Sequence, residues 1–290
     1  MESLKSTIDG IYGIETNPLI YMIGIICILT PIAWVRDIAK FSFTFMIGNF
    51  MILLTVIVVS TYCFSQISEQ GGLGPGIQAF DQAGYLTTVG FAIYTYEGIG
   101  VIMPIMQTCA TPEKFSRILF FAIITLSVIY AAFGNLCYLT YGSSLNKPMI
   151  TEMLPPTDPI VIAIKLCFIL SLFCSYAIFI NPTNTIIESW IFGKKSSPMS
   201  SYYARNFSRF IVCISAAILG VALSEKIDKF IGLIGALLCA PLAIMMPSML
   251  HLKLVAKKKR ERTLDIVLIV ISIFILVFST SQSLISWNDV

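Results

Sequence analysis

The 290-residue sequence is 57% hydrophobic and only 12% charged, where an average soluble domain carries about 25% charged residues. With a mean hydropathy of +0.85 and no polar segment long enough to bury a core of its own, it excludes a soluble domain and leaves a polytopic membrane protein. The net charge of +3 says little in total; its distribution along the chain says more.

Residues 1–18 read as a polar tail carrying Glu2, Lys5, Asp9 and Glu15. It lacks the basic-then-apolar form of a signal peptide. From there a single membrane domain is expected over residues 19–285, with residues 286–290 as a short tail. A crossing helix needs about 20 apolar residues for roughly 30 Å of hydrocarbon. Eight segments approach that length, at about 19–35, 41–64, 83–109, 118–141, 160–190, 207–223, 230–250 and 264–284. The expected fold is therefore all-α, with eight transmembrane helices.

Punctuation between them is legible. Gly71-Gly72-Leu73-Gly74-Pro75-Gly76 cannot continue a helix and reads as an irregular loop. Thr111-Pro112-Glu113 is a helix start: a capping hydroxyl, proline in the first turn, then an acid that suits the dipole. Asp158 precedes Pro159 as the cap of the fifth span.

The third segment holds the most informative residue. Glu97 sits in Ile93-Tyr94-Thr95-Tyr96-Glu97-Gly98-Ile99-Gly100, deep in an apolar run. A carboxyl at bilayer depth is costly, faces a cavity or partner, and is functional by default. Gly98 and Gly100 weaken the helix beside it, and Pro104 removes a donor one turn on. A carboxyl at a broken helix near the midplane is how secondary transporters build substrate sites. Tyr94 and Tyr96 are gate candidates, and Tyr176 and Asn181 are further substrate-contact candidates. Lys165, one turn inside its span, reads as a lysine that snorkels to the interface.

All eight cysteines lie within apolar stretches or at the edge of one, no CxxC occurs, and His251 is the only histidine. A His/Cys metal site is excluded, and buried cysteine acting as a small hydrophobe is expected. No nucleophile–base set lies in a water-accessible loop, so no enzyme, catalytic residue, metal or cofactor is expected, and no nucleic-acid partner either.

Orientation follows from lysine and arginine. With alternating loops, fourteen of the 19 basic residues fall on one side, among them Arg36, Lys114, Arg117, Arg205, Arg209 and the Lys253–Arg262 run. Lys5, Lys147, Lys226 and Lys229 fall on the other. Both termini are expected on that basic-poor side, which is outside, lumenal or equivalent. Lys257, Lys258, Lys259 and Arg260 are candidates for contact with anionic lipid headgroups.

An ordered series of motifs resembles the amino acid/auxin permease family, and within it the proton-coupled amino acid transporters. Tyr96-Glu97-Gly98-Ile99-Gly100 through Met103-Pro104-Ile105 to Pro112-Glu113-Lys114-Phe115 is similar to that family's Phe-Glu-Gly-Ile-Gly break in helix six and the start of helix seven. Tyr138-Leu139-Thr140-Tyr141-Gly142, Lys165-Leu166, Tyr176-Ala177, Pro182, Leu233-Ile234-Gly235 and Pro247 match later landmarks, and Arg36-Asp37 and Asn49 earlier ones. The resemblance implies an inverted-repeat amino acid transporter fold, with the eight spans standing for helices 4–11 and the first three absent. Met106 and Asn184 stand where the family usually or often has acids.

Two readings follow. In the first, the chain is a carrier of amino acids coupled to protons or sodium. Glu97, Gly98 and Gly100 then supply half of a site that another polypeptide or a second copy completes. In the second, it is a truncated, transport-inactive relative serving as an accessory subunit of a large membrane assembly, perhaps an energy-transducing one. Either way a protein partner or second copy is expected over the face left by the missing helices.

Overall fold

Capping and proline set where the helices begin. In the computed structural model, which describes residues 17–36, 42–80, 84–98, 102, 105–106, 109–145, 147, 149–155, 158–193 and 200–288, every regular element among those residues is helical. Helix α1 runs Pro18–Trp34, and Asn17 caps it by accepting from the Leu19 N–H at 3.0 Å. Helix α2 is Ser42–Gln70, α3 Tyr85–Tyr96 and α4 Pro112–Tyr141. Helix α5, Pro159–Phe192, is capped as expected by Asp158, which accepts from the Ile160 N–H at 2.9 Å. Helices α6, α7 and α8 are Ser200–Ala222, Ile227–Leu254 and Lys259–Ile285.

Six of these, α2 and α4 to α8, are long and apolar enough to cross a membrane. This is fewer than the eight expected. Helix α1 has 17 residues and α3 only 12, because α3 stops at Tyr96 inside the third apolar segment. The chain is a multi-pass integral membrane protein whose apolar side chains largely face outward.

Two compact units divide the chain. The first comprises Met1–Ile77 and Val128–Ser224. Here α2 packs on α5 around Val59, Cys63, Cys137, Val161 and Ile164. Gly48 lets the two helices approach, since a Cβ there would lie 3.1 Å from Cys174 Cβ. The glycine loop after α2 clamps the end of α4. Gly74 N–H donates to the Leu139 carbonyl at 2.8 Å and Ser143 N–H to the Pro75 carbonyl at 2.8 Å. Gly142, at φ +52°, comes so close that a Cβ would sit 2.0 Å from the Pro75 oxygen. Only glycine fits both that φ and that gap. Lys165 departs from the expectation that it snorkels. It is buried, at 4% exposure, with Glu152 in electrostatic range.

The second unit comprises Gln78–Ser127 and Glu225–Val290. It presses α3 against α7 and α8. Gly90, Gly232 and Gly235 make the contact: a Cβ on Gly90 would lie 2.3 Å from the Gly232 oxygen, and one on Gly235 1.8 Å from the Gly90 oxygen. Ala236, Ala240 and Ile275 fill in beside them, with Val89 and Ile93 of α3 against the cluster. At the far end of α7, His251 Nδ1 lies 2.7 Å from Asp265 Oδ2 of α8.

Gly90→Ala is expected to force α3 off α7 and cost about 1–3 kcal/mol, the usual penalty for overpacking. Gly24→Ala, where a Cβ meets nothing within 4 Å, serves as the neutral control, and thermal unfolding in detergent reads both. A second expectation concerns acid. The Tyr62 hydroxyl, and after it the Ile160 N–H, holds the Asp158 carboxyl below its ordinary 3.8. A depressed folded-state value contributes stability that is present above 3.8 and is lost as pH falls through the folded value. Tyr62→Phe should therefore lower the melting temperature at neutral pH, by a margin that shrinks once pH drops below 3.8.

Candidate functional site

The break in the third segment positions the site. Helix α3 ends because Glu97 leaves helical geometry: its backbone is extended, at φ −70° and ψ 130°, with its N–H on the Tyr94 carbonyl at 3.2 Å. Gly98 follows, and its carbonyl accepts from the Ile102 N–H at 3.0 Å. Glu97 and Gly98 are half-buried, while Tyr94 and Tyr96 are exposed. Gly100 lies outside the described residues. The last four carbonyls of a helix have no partner within it, and they give that end a partial negative charge. A carboxyl set at that same end concentrates negative potential there.

Facing α3 is a stretch of α7 that sequence reasoning did not resolve. Gly235–Cys239 and Pro241–Met245 are π-helical, two short under-wound segments in an otherwise α-helical span. Pro241 lacks the N–H that an α-helix needs there, and π-turns inside helices are frequent at functional sites. The buried Ser272 hydroxyl of α8 donates to the Ala240 carbonyl at 3.0 Å. Cys239 lies within electrostatic range of Glu97. Gly235, Pro241 and Pro247 were visible as helix breakers; the register of the break was not.

Tyr176 and Asn181 belong to the first unit, where their polar groups meet other groups of that unit. The Tyr176 hydroxyl sits 3.0 Å from Cys213 Sγ. Asn181 Nδ2 donates to the Val35 and Arg36 carbonyls, both at 3.2 Å. Sequence reasoning missed the group that completes this arrangement. Arg209 of α6, 2% exposed, donates to Glu188 Oε1 of α5 at 2.5 Å and to the Ala33 carbonyl of α1 at 2.7 Å. Asn181, Asn184 and Glu188 share a face of α5, and Asn184 is buried with neither amide atom bonded among the described residues. The spacing from Asn181 to Glu188 was readable; the pairing across three helices was not. Lys257 and Lys258, between α7 and α8, and Lys259 and Arg260, in the first turn of α8, are all exposed.

Comparison with known proteins bears on what this arrangement does. The profile of the family described as transmembrane amino acid transporter protein matches residues 1–285. The chain is 27% identical over 275 residues to vacuolar amino acid transporter 3 of Saccharomyces cerevisiae, covering 93% of this chain and 40% of that protein. It is 29% identical over 256 residues to vacuolar amino acid transporter 3 of Schizosaccharomyces pombe, covering 87% and 38%. It is 27% identical over 278 residues to vacuolar amino acid transporter 4 of Saccharomyces cerevisiae, covering 87% and 39%. The chain thus spans about two fifths of the length of these relatives. No solved structure matches significantly.

Arg209→Met leaves the buried Glu188 only the more distant Arg205, 3.8 Å away, and is expected to cost about 3 kcal/mol, the lower end of the penalty for stripping one half of a buried pair. Pairing it with Glu188→Gln should recover part of that loss. A double-mutant cycle by thermal unfolding would show the coupling, and additive losses would rule it out.

Proposed function

We propose, starting from a chain that belongs to the transmembrane amino acid transporter family, that it is a secondary carrier of amino acids whose eight hydrophobic segments each pass the membrane. The observation that carries this reading is the end of α3. A helix stops at Tyr96 inside an apolar segment, and a half-buried carboxyl, Glu97, takes its place. Helix-end carbonyls and a carboxylate together favour a positive group. The part of an amino acid they suit is its ammonium group, or else a coupling cation. Glu97 is the ion-handling carboxyl in this reading. Gly98 and Gly100 let backbone approach the substrate, and the exposed Tyr94 and Tyr96 border it.

The relatives' names supply the location we propose, a vacuolar membrane. The charge distribution supports both termini on its lumenal side. The exposed Lys257, Lys258, Lys259 and Arg260 then face the cytoplasmic leaflet, where anionic headgroups would attract them.

The test is uptake of a panel of labelled amino acids into liposomes holding the purified chain, with an imposed proton gradient. Wild type should accumulate at least one of them. Glu97→Gln should slow coupled uptake at least about tenfold, or 1.36 kcal/mol on the barrier, while keeping its elution profile. No accumulation by wild type would remove the carrier reading for this chain. Undiminished uptake by the variant would remove Glu97 from it.

A further inference from the structure

Between α1 and α6, within the first unit, lies an apolar groove of about 680 Å³. Its floor owes its shape to Pro31, which withholds a donor from the Cys27 carbonyl one turn earlier. The neighbouring Thr30 hydroxyl is turned back onto the Ile26 carbonyl at 2.7 Å, so its donor is spent within α1. Phe207 and Phe210 face it from α6.

The rim differs in character from the floor. Trp34, Tyr202 and Tyr203 line it, the residue types that sit at headgroup level in membrane proteins. Trp34 Nε1 donates to the Asn206 carbonyl at 3.3 Å, which fixes the indole across the gap between the helices. Arg36, exposed at the end of α1, is held above this rim. Its guanidinium lies 4.9 Å from the centre of the Tyr202 ring, and Nη2 donates to Asn206 Oδ1 at 3.4 Å. No carboxylate lines the groove among the described residues.

We propose that this groove is a binding site for one anionic phospholipid, with an acyl chain along Cys27, Pro31 and Phe207 and the headgroup phosphate on Arg36. Charge complementarity selects the occupant. An apolar cleft along two membrane helices takes a hydrocarbon chain, and one fixed cation at its aromatic rim takes a headgroup of net negative charge. A zwitterionic lipid brings the same phosphate but offsets it with its own cation, so it satisfies the floor and is held less strongly by Arg36. An apolar protein helix would leave the guanidinium covered and unpaired.

The groove shares no residue with the Glu97 break, and its test reads lipid contact and not transport. The purified chain is placed in phosphatidylcholine vesicles containing a small fraction of phosphatidylserine or phosphatidylcholine with a photoreactive acyl chain. Adducts are then mapped by peptide mass spectrometry. Phosphatidylserine should label α1 and α6 peptides more strongly than phosphatidylcholine. Arg36→Gln should cut the phosphatidylserine yield about fivefold, the factor for one basic residue at an anionic surface. Arg36→Lys should keep most of it, which separates lost charge from lost folding. Cys27→Trp, which fills the floor, should lower adducts of both lipids. Equal labelling by the two lipids, or an Arg36→Gln yield matching wild type, would overturn the proposal. So would adducts joining α1 of one copy to α6 of another, because a second copy would then occupy the groove.

Discussion

Gly90, Gly232 and Gly235 bring two helix backbones closer than any side chain allows, and the geometry of the second unit depends on that approach. Lipid tails are as apolar as leucine, so helices in a bilayer gain nothing from burying apolar surface against one another; they gain from close packing. Glycine supplies it here. The residues around the contact are small as well: Ala236, Ala240 and Ser272 continue the close approach of α7 to its neighbours. Helix α3 is thereby anchored less than two turns before it ends at Tyr96. The place where Glu97 leaves the helix is set by packing upstream of it.

The first unit solves a different problem. The end of α1 presents carbonyls with no helical partner, in a setting where water is scarce. Arg209 takes the Ala33 carbonyl, and Asn181 takes those of Val35 and Arg36. Bringing Arg209 inside requires a counter-charge, and Glu188 provides it. The result is three helices joined through one helix end. Such a buried pair is weak evidence for stability in itself, because desolvation offsets most of the attraction. Its consequence is geometric: α1, α5 and α6 meet in one register, since any other leaves a charge or a carbonyl unpaired.

These two arrangements mark what one sequence can disclose. Helix starts were readable because they are local. Asp158 caps α5, and α4 begins at Pro112, where hydroxyl, proline and acid stood in order. The glycine run after α2 was readable as non-helical for the same reason. The length of α3 was not, because apolar composition continues past Tyr96 while the helix does not. Nor were the π-turns, which depend on how Gly235 and Pro241 are accommodated against α3 and α8. Arg209 looked like one more positive charge at a span's edge, and its role emerges only when α1 and α5 are placed beside it. Lys165 was misread for a related reason, since a loop acid, Glu152, lies near its buried side chain.

Breaks in membrane helices carry a sign. At the end of α1 the exposed carbonyls meet an arginine and an asparagine amide from the same unit, so the negative end is answered by fixed donors and nothing is left to vary. At the end of α3 the chain places a carboxyl on the negative end instead. In a low dielectric, like charges at one point raise each other's cost steeply. In the carrier reading proposed above, a mobile positive charge, substrate or coupling ion, is what relieves that cost beside Glu97, whereas at the end of α1 the fixed donors of Arg209 and Asn181 answer the carbonyls from within the unit.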